Sequence, residues 1–206
     1  SMVQFRSAAG ERPVRLSEET RLFAWESLNG KYGRELNASD HLTLSRKDTQ
    51  GLSDYQIYDL LISKIAREAP VRVIPGEMLA GSATLKAASR HIIPVLYEDG
   101  EMIMPSVSHT TLGFDRVLRE GIDRYEQRVR KRLRMECTPK QREFLLSLLH
   151  VIDAMHVWHV RYMEAISDPE EREALKNVPF QPARSFREGL QSLWFTFSFT
   201  RLMGNW

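Results

Sequence analysis

The sequence contains one cysteine, Cys137, so it carries no internal disulfide, and its composition fits a reducing, cytoplasmic compartment. Neither sign of charge is in surplus: 29 Lys and Arg stand against 27 Asp and Glu, a formal net charge of +2. No polyanionic partner such as a nucleic acid is therefore implied. No apolar run is long enough to span a bilayer, and the opening SMVQFRSAAG has no signal-peptide core. G-x-S-x-G, P-loop and G-x-G-x-x-G signatures are all missing, and so are repeats and low-complexity linkers. These absences exclude a disulfide-stapled module, a membrane span, a repeat array and the commonest hydrolase and nucleotide signatures. What is present is 206 residues, 42% hydrophobic, enough to bury one sizeable core. Residues 1–11 read as a tag scar and flexible N-terminus, and residues 12–206 as a single domain.

The legible pattern is helical. Ser17 before Glu18 and Glu19 places an N-cap and two acids at the positive end of a helix dipole. Ser53 with Gln56 forms a capping box for DYQIYDLLISKIARE, which should stop before Pro70. The spacing predicts a helix from Asp115 to about Met135. Thr138, Pro139 and Gln141 open a long one reaching about Ile166. Asp168-Pro169-Glu170-Glu171 starts a short helix, and the last begins at Ser185 with Glu188, or earlier at Pro182. Between residues 70 and 105 the pattern changes. VRVIP and HIIPVLYEDGEMIMP are β-branched, proline-bearing and interrupted by the turn signal Asp99-Gly100, and they predict short extended segments and one hairpin. The fold class is mainly α.

Three clusters invite a chemical reading. His150, Asp153, His156 and His159 share one helix, and imidazoles with a carboxylate suit a transition metal. Steps of three drift round a helix, however, and no second helix offers an obvious matching set. They read as surface or half-buried histidines, with no metal. RVRKRLR at 128–134 is strongly basic, but Glu120, Asp123, Glu126 and Glu136 share its helix and Tyr125 is its only aromatic, so it reads as a solvated face. Cys137, in MECTP, lacks a sequence-evident base to make it a nucleophile.

The end of the chain, LQSLWFTFSFTRLMGNW, is apolar around a whole helix turn. Leu190, Leu193, Trp194, Phe195, Phe197, Phe199, Leu202 and Met203 cannot share one face. Such a helix expects protein on every side, so the chain is expected to be a fragment of a longer protein or to pair through residues 190–203 with a second copy.

Three stretches together resemble the N-terminal region of glycyl radical enzymes of the pyruvate formate-lyase and diol dehydratase-like family. VIPGEMLAGSAT is similar to the family's P-x-E-x-(I/L)-x-G stretch. HTTLGFDRVLREGI resembles its His-bearing loop and F-x-x-V-L-x-x-G-(I/L) helix. PARSFREGLQSLWF resembles P-A-x-(S/T)-F-x-E-A-L-Q-x-x-W-F, with Gly189 where alanine is usual. Their order and spacing also fit, over roughly residues 12–206.

The resemblance implies the helical N-terminal portion of a barrel of two five-stranded half-barrels. It implies a parent lyase with a radical glycine, a thiyl cysteine and a separate radical adenosylmethionine activating enzyme. The cysteine motif G-C-x-E and the glycine motif R-V-(S/A)-G-(Y/F) do not occur in this sequence. Cys137 is therefore not equated with the thiyl residue, no catalytic residue or cofactor is assigned to this chain, and it is expected to be inactive alone. By the same resemblance His109, in SHTT where G-H-T is usual, would hydrogen-bond a substrate hydroxyl. Dehydratases, carbon–carbon and carbon–nitrogen lyases and decarboxylases share this scaffold. The alternative is a free-standing helical interaction module, or one chain of a split enzyme.

Overall fold

The computed structural model describes residues 17–29, 44–69, 71, 73, 78–81, 97–98, 101–102 and 113–202. Within them the elements run α1 (Glu18–Leu28), α2 (Arg46–Thr49), α3 (Asp54–Glu68), β1 (Tyr97–Glu98), β2 (Glu101–Met102), α4 (Phe114–Glu120), α5 (Ile122–Leu133), α6 (Pro139–Ala165), α7 (Pro169–Leu175) and α8 (Phe186–Leu202). The expected mainly α architecture is observed. The two strands pair antiparallel, Tyr97 opposite Met102 and Glu98 opposite Glu101, where the Asp99-Gly100 turn signal places a hairpin.

Helix starts follow local chemistry. At α3 the Ser53 Oγ accepts from Gln56 N–H at 3.3 Å, and Gln56 Oε1 accepts from Ser53 N–H at 3.0 Å. Thr138 and Gln141 form the same reciprocal pair at α6, with Pro139 in the first turn. Asp168 Oδ1 accepts from Glu170 and Glu171 N–H at 2.8 and 2.9 Å to open α7. Each box occupies two donors that a helix start leaves unpaired. A further box, Ser45 with Asp48, opens α2 and was not read from the sequence. Helix α3 ends at Glu68, as Pro70 requires.

The centre of the molecule is the α3–α6 pair. Contacts rise together along both helices, so they run parallel: Ser53 donates to Glu143, Ser147 Oγ to Asp59 Oδ1 at 2.5 Å, and Arg161 Nη1 to the Ala66 carbonyl at 2.8 Å. The last of these serves a carbonyl in the final turn of α3, which has no intrahelical donor. Leu61, Ile62, Ile65 and Ala66 face Ala154, Met155, Trp158 and Tyr162, and Leu175, Phe180, Phe195 and Phe199 close the core. Trp158 and Tyr162 meet edge to face at 4.9 Å, and Tyr162 and Phe195 at 5.8 Å. Each fully buried large apolar side chain contributes about 1.5–3 kcal/mol.

One predicted helix is two. The run expected from Asp115 to Met135 breaks at Gly121, whose φ of 74° and ψ of 162° lie in territory open essentially to glycine. The break lets a second segment enter. Ile122 N–H donates to the Pro179 carbonyl at 2.9 Å and Asp123 N–H to the Phe180 carbonyl at 3.1 Å. Helix α5 has no side-chain cap, and these two carbonyls take the first donors of the helix instead. The carbonyls come from a turn containing a cis Val178–Pro179 bond.

Candidate functional site

The described parts of all three motif stretches converge on α8 and the segment leading into it. The residues around Ala80 dock on α8 through one side chain, Gln191. Its Oε1 accepts from Ala80 N–H and its Nε2 donates to the Ala80 carbonyl, both at 2.8 Å. Gln191 is 0% exposed and Ala80 1% exposed, so the amide satisfies both polar groups of a backbone unit that water does not reach. Next to it Gly81 has a φ of 115°, and a Cβ there would lie 3.4 Å from Ser198 Oγ and from Trp194 Cδ1. The glycine that closes the first motif is thus demanded by the backbone conformation.

The second motif meets the third on the other side. Ala183 N–H donates to the Leu118 carbonyl at 3.0 Å. Gly189 lies where an added Cβ would sit 3.9 Å from Leu118 Cδ2. Helix α8 starts at Ser185, whose Oγ accepts from Glu188 N–H at 3.1 Å. Glu188 turns back to Arg184, accepting from its backbone N–H at 2.6 Å and from its guanidinium at 2.6 Å. That pair, through the side-chain hydrogen bonds, holds the Glu188 carboxyl below its usual range. An open concavity beside it is lined by Glu170, Glu173, Ala174, Ser185, Arg187 and Glu188. Glu171, on α7 between the lining residues Glu170 and Glu173 in sequence, is buried, and desolvation raises its pKa, with Asp168 adding to the effect.

The histidines of α6 divide by environment. His150 Nδ1 lies 2.8 Å from Asp59 Oδ2 on α3, an exposed contact. His156 stacks flat on Phe180, centroids 3.7 Å apart, and its Nε2 lies 3.8 Å from Asp123 Oδ1 on α5. His159 is 7% exposed, edge-on to Phe180 and Phe195, with Nε2 2.9 Å from the Leu175 carbonyl. A carbonyl only accepts, so Nε2 carries the proton of a neutral ring. Burial pushes the His159 pKa down. Asp153 is exposed. The four residues therefore do not form one cluster. Instead Asp123, Glu126 and His156 come together, with one possible ligand atom from each lying within 4.8 Å of the others. Sequence reasoning found no partner helix for the histidines. The i, i+3 carboxylates on α5 were the available signal, absorbed there into a solvated charged face.

That face behaves as expected in other respects. Arg128 pairs with Glu120 and Arg130 with Glu126, each at 2.6 Å. Cys137 is half-buried, 3.1 Å from Arg132 Nη1 and 3.4 Å from the carbonyls of Arg132 and Met135, with no histidine or carboxylate among these contacts. His109 lies outside the described residues. No helix among the described residues is long and apolar enough to cross a membrane.

A helical unit in which the segment around Ala80 and a broken helix are clamped onto one C-terminal helix defines a class that comparison identifies. The sequence profile described as "Pyruvate formate lyase-like" matches residues 97–205, more than half of the chain. The chain therefore belongs to the pyruvate formate lyase-like family. The fold is similar to a structure from Roseburia inulinivorans titled for 1,2-propanediol dehydration and the structural basis of substrate and enantiomer selectivity. The TM-score is 0.60 at 18% identity, over 93% of this chain. The chain spans 33% of the length of that protein. No curated protein matches it.

Proposed function

We propose that this chain supplies the N-terminal helical wall of a cytoplasmic glycyl-radical-type lyase working in anaerobic metabolism. Residues 12–206 would act as one domain. The observation that carries the reading is the clamp on α8: Gln191 joins the third motif to the first, and Leu118 with Ala183 joins it to the second. Motifs scattered by chance have no reason to meet. The radical glycine and thiyl cysteine would lie outside this chain, with the radical installed by a radical adenosylmethionine activating enzyme. This chain's own contribution is then positional. Gln191 fixes the loop at Ala80, Gly121 and the 179–180 carbonyls fix the start of α5, and His109 orients a substrate hydroxyl.

The partner surface is the outer side of α8. Phe186 is 83% exposed, with Leu190 and Leu193 following at helical spacing and also exposed, as a face awaiting the remainder of the parent enzyme or a second copy would be.

The test is anaerobic electron paramagnetic resonance with an activating enzyme and adenosylmethionine. The protein from the complete reading frame should give a glycyl doublet, and the 206-residue chain alone should give none. A doublet from this chain alone refutes the assignment of roles. His109→Ala in the complete protein should lower turnover by the equivalent of about 1–3 kcal/mol with folding preserved. Unchanged kinetics remove His109 from the substrate site.

A further inference from the structure

We propose that Asp123, Glu126 and His156 form a binding site for a first-row divalent transition ion, Zn²⁺ being the test ion, that ties α5 to α6. One donor atom from each lies within 4.8 Å of the others. Within the group, His156 Nε2 and Asp123 Oδ1 are 3.8 Å apart. That is too long for a hydrogen bond. It is close to the span of two ligands on one ion, because bonds of about 2.0–2.2 Å set neighbouring ligands roughly 3–4 Å apart. Coordination would require the Glu126 side chain to turn toward the other two donors.

The donor chemistry selects the ion. One imidazole nitrogen with two carboxylate oxygens suits zinc and its neighbours, whereas calcium and magnesium favour all-oxygen sets. Two carboxylates balance the ion's two positive charges, and a neutral imidazole adds none.

The three side chains are also held from behind. The His156 ring lies flat on Phe180 at 3.7 Å and 9°, which fixes its plane. Asp123 accepts from Gln181 Nε2, and its own N–H is held by the Phe180 carbonyl. Metal ligands are commonly oriented by such outer contacts. Glu126 and Asp123 stand three apart, on the side of α5 that faces His156. Arg130 Nε takes Glu126 Oε1 at 2.6 Å, so the guanidinium competes with the ion for this carboxylate. The side chains of Asp123 and His156 are 32% and 41% exposed, leaving the site reachable and its outer coordination positions to solvent.

The test is Zn²⁺ titration by calorimetry of chelator-treated chain, in a Cys137→Ser background that removes the competing thiol. One equivalent should bind and raise the thermal midpoint. His156→Ala and Asp123→Asn should each abolish that equivalent while the metal-free circular dichroism spectrum stays unchanged. Gln181→Ala, which removes an orienting contact and no ligand, should weaken binding about tenfold. Arg130→Ala should tighten it, the opposite of what a general loss of structure would do. Absence of stoichiometric binding, binding that survives both ligand substitutions, or weaker binding in Arg130→Ala would each overturn the proposal.

Discussion

Replacing Gly121 by alanine should be among the most damaging single-methyl additions the chain can suffer. The backbone there is at φ 74° and ψ 162°, a region that costs a non-glycine residue about 1–3 kcal/mol. The new Cβ would also lie 2.1 Å from the Phe180 carbonyl oxygen and 2.8 Å from the Gln181 carbonyl carbon. Both are backbone atoms, so no side chain can swing away. The 179–181 segment has to retreat by more than an ångström, and with it go the bonds from Ile122 N–H to Pro179 and from Asp123 N–H to Phe180. Two such bonds are worth about 0.5–1.5 kcal/mol each. Together the two effects amount to roughly 2–6 kcal/mol, and about 4 is the central expectation. For a chain of this size each kcal/mol moves the melting point by about 2–4 °C, so a drop of roughly 8–16 °C is expected. Thermal and urea unfolding followed by far-ultraviolet circular dichroism measure it. A loss below about 1 kcal/mol would mean that Gly121 is not the hinge between α4 and α5, and that the Pro179 and Phe180 carbonyls are not what starts α5.

The same substitution at Gly189 should act in the opposite direction: its Cβ would meet Leu118 Cδ2 at an ordinary 3.9 Å, so Gly189→Ala gains about 0.5–1 kcal/mol of helix stability by urea unfolding, and a loss would show that α4 and α8 pack more tightly than this distance implies. Gln191→Leu leaves the buried N–H and carbonyl of Ala80 unpaired, which should cost about 2–4 kcal/mol and speed hydrogen exchange at the Ala80 amide; unchanged exchange would show that the amide clamp holds nothing. His159 has a folded pKa below its ordinary 6.5, so the unfolded chain takes up a proton first; stability should be full above 6.5 and fall as pH drops below it toward the folded value, and His159→Gln should flatten that part of a pH series of unfolding midpoints.

The helix starts were legible because their cause is local. Ser53 with Gln56, Thr138 with Gln141, and Asp168 with its two following acids satisfy donors within the same turn, and no other part of the molecule is consulted. The break at Gly121 was not legible for the converse reason. A glycine inside a helix costs only about 1 kcal/mol relative to alanine, and DRVLREGIDRYEQRVRKRL is otherwise a good helix. What splits it is a pair of carbonyls nearly sixty residues further along the chain. The Asp123–Glu126–His156 grouping is non-local in the same way. The carboxylates and the imidazole each have a plain reading on their own helix, and only the packing of α5 on α6 sets them side by side.

Helix α8 shows why composition alone cannot assign a buried side. Its apolar residues surround the axis, and that predicted cover on every side. In the structure the buried side instead carries Gln191, Ser192, Thr196 and Ser198 together with Phe195 and Phe199, while Phe186, Leu190 and Leu193 are exposed. Two of the polar residues, Gln191 and Thr196, have hydrogen-bond partners close by. Thr196 Oγ1 donates to the Ser192 carbonyl at 2.7 Å, and Gln191 is matched by Ala80. They are also small enough for the backbone at Gly81 to come near, 3.4 Å from Ser198 Oγ when measured from a Cβ built there. A larger apolar residue at position 198 would hold the Ala80 segment off, and Gln191 would lose its partner. The side of α8 that faces inward is therefore chosen by the segment that docks on it, through size and hydrogen bonding. An apolar stripe reports burial only when the opposite face is too polar to be buried, and on α8 neither face is.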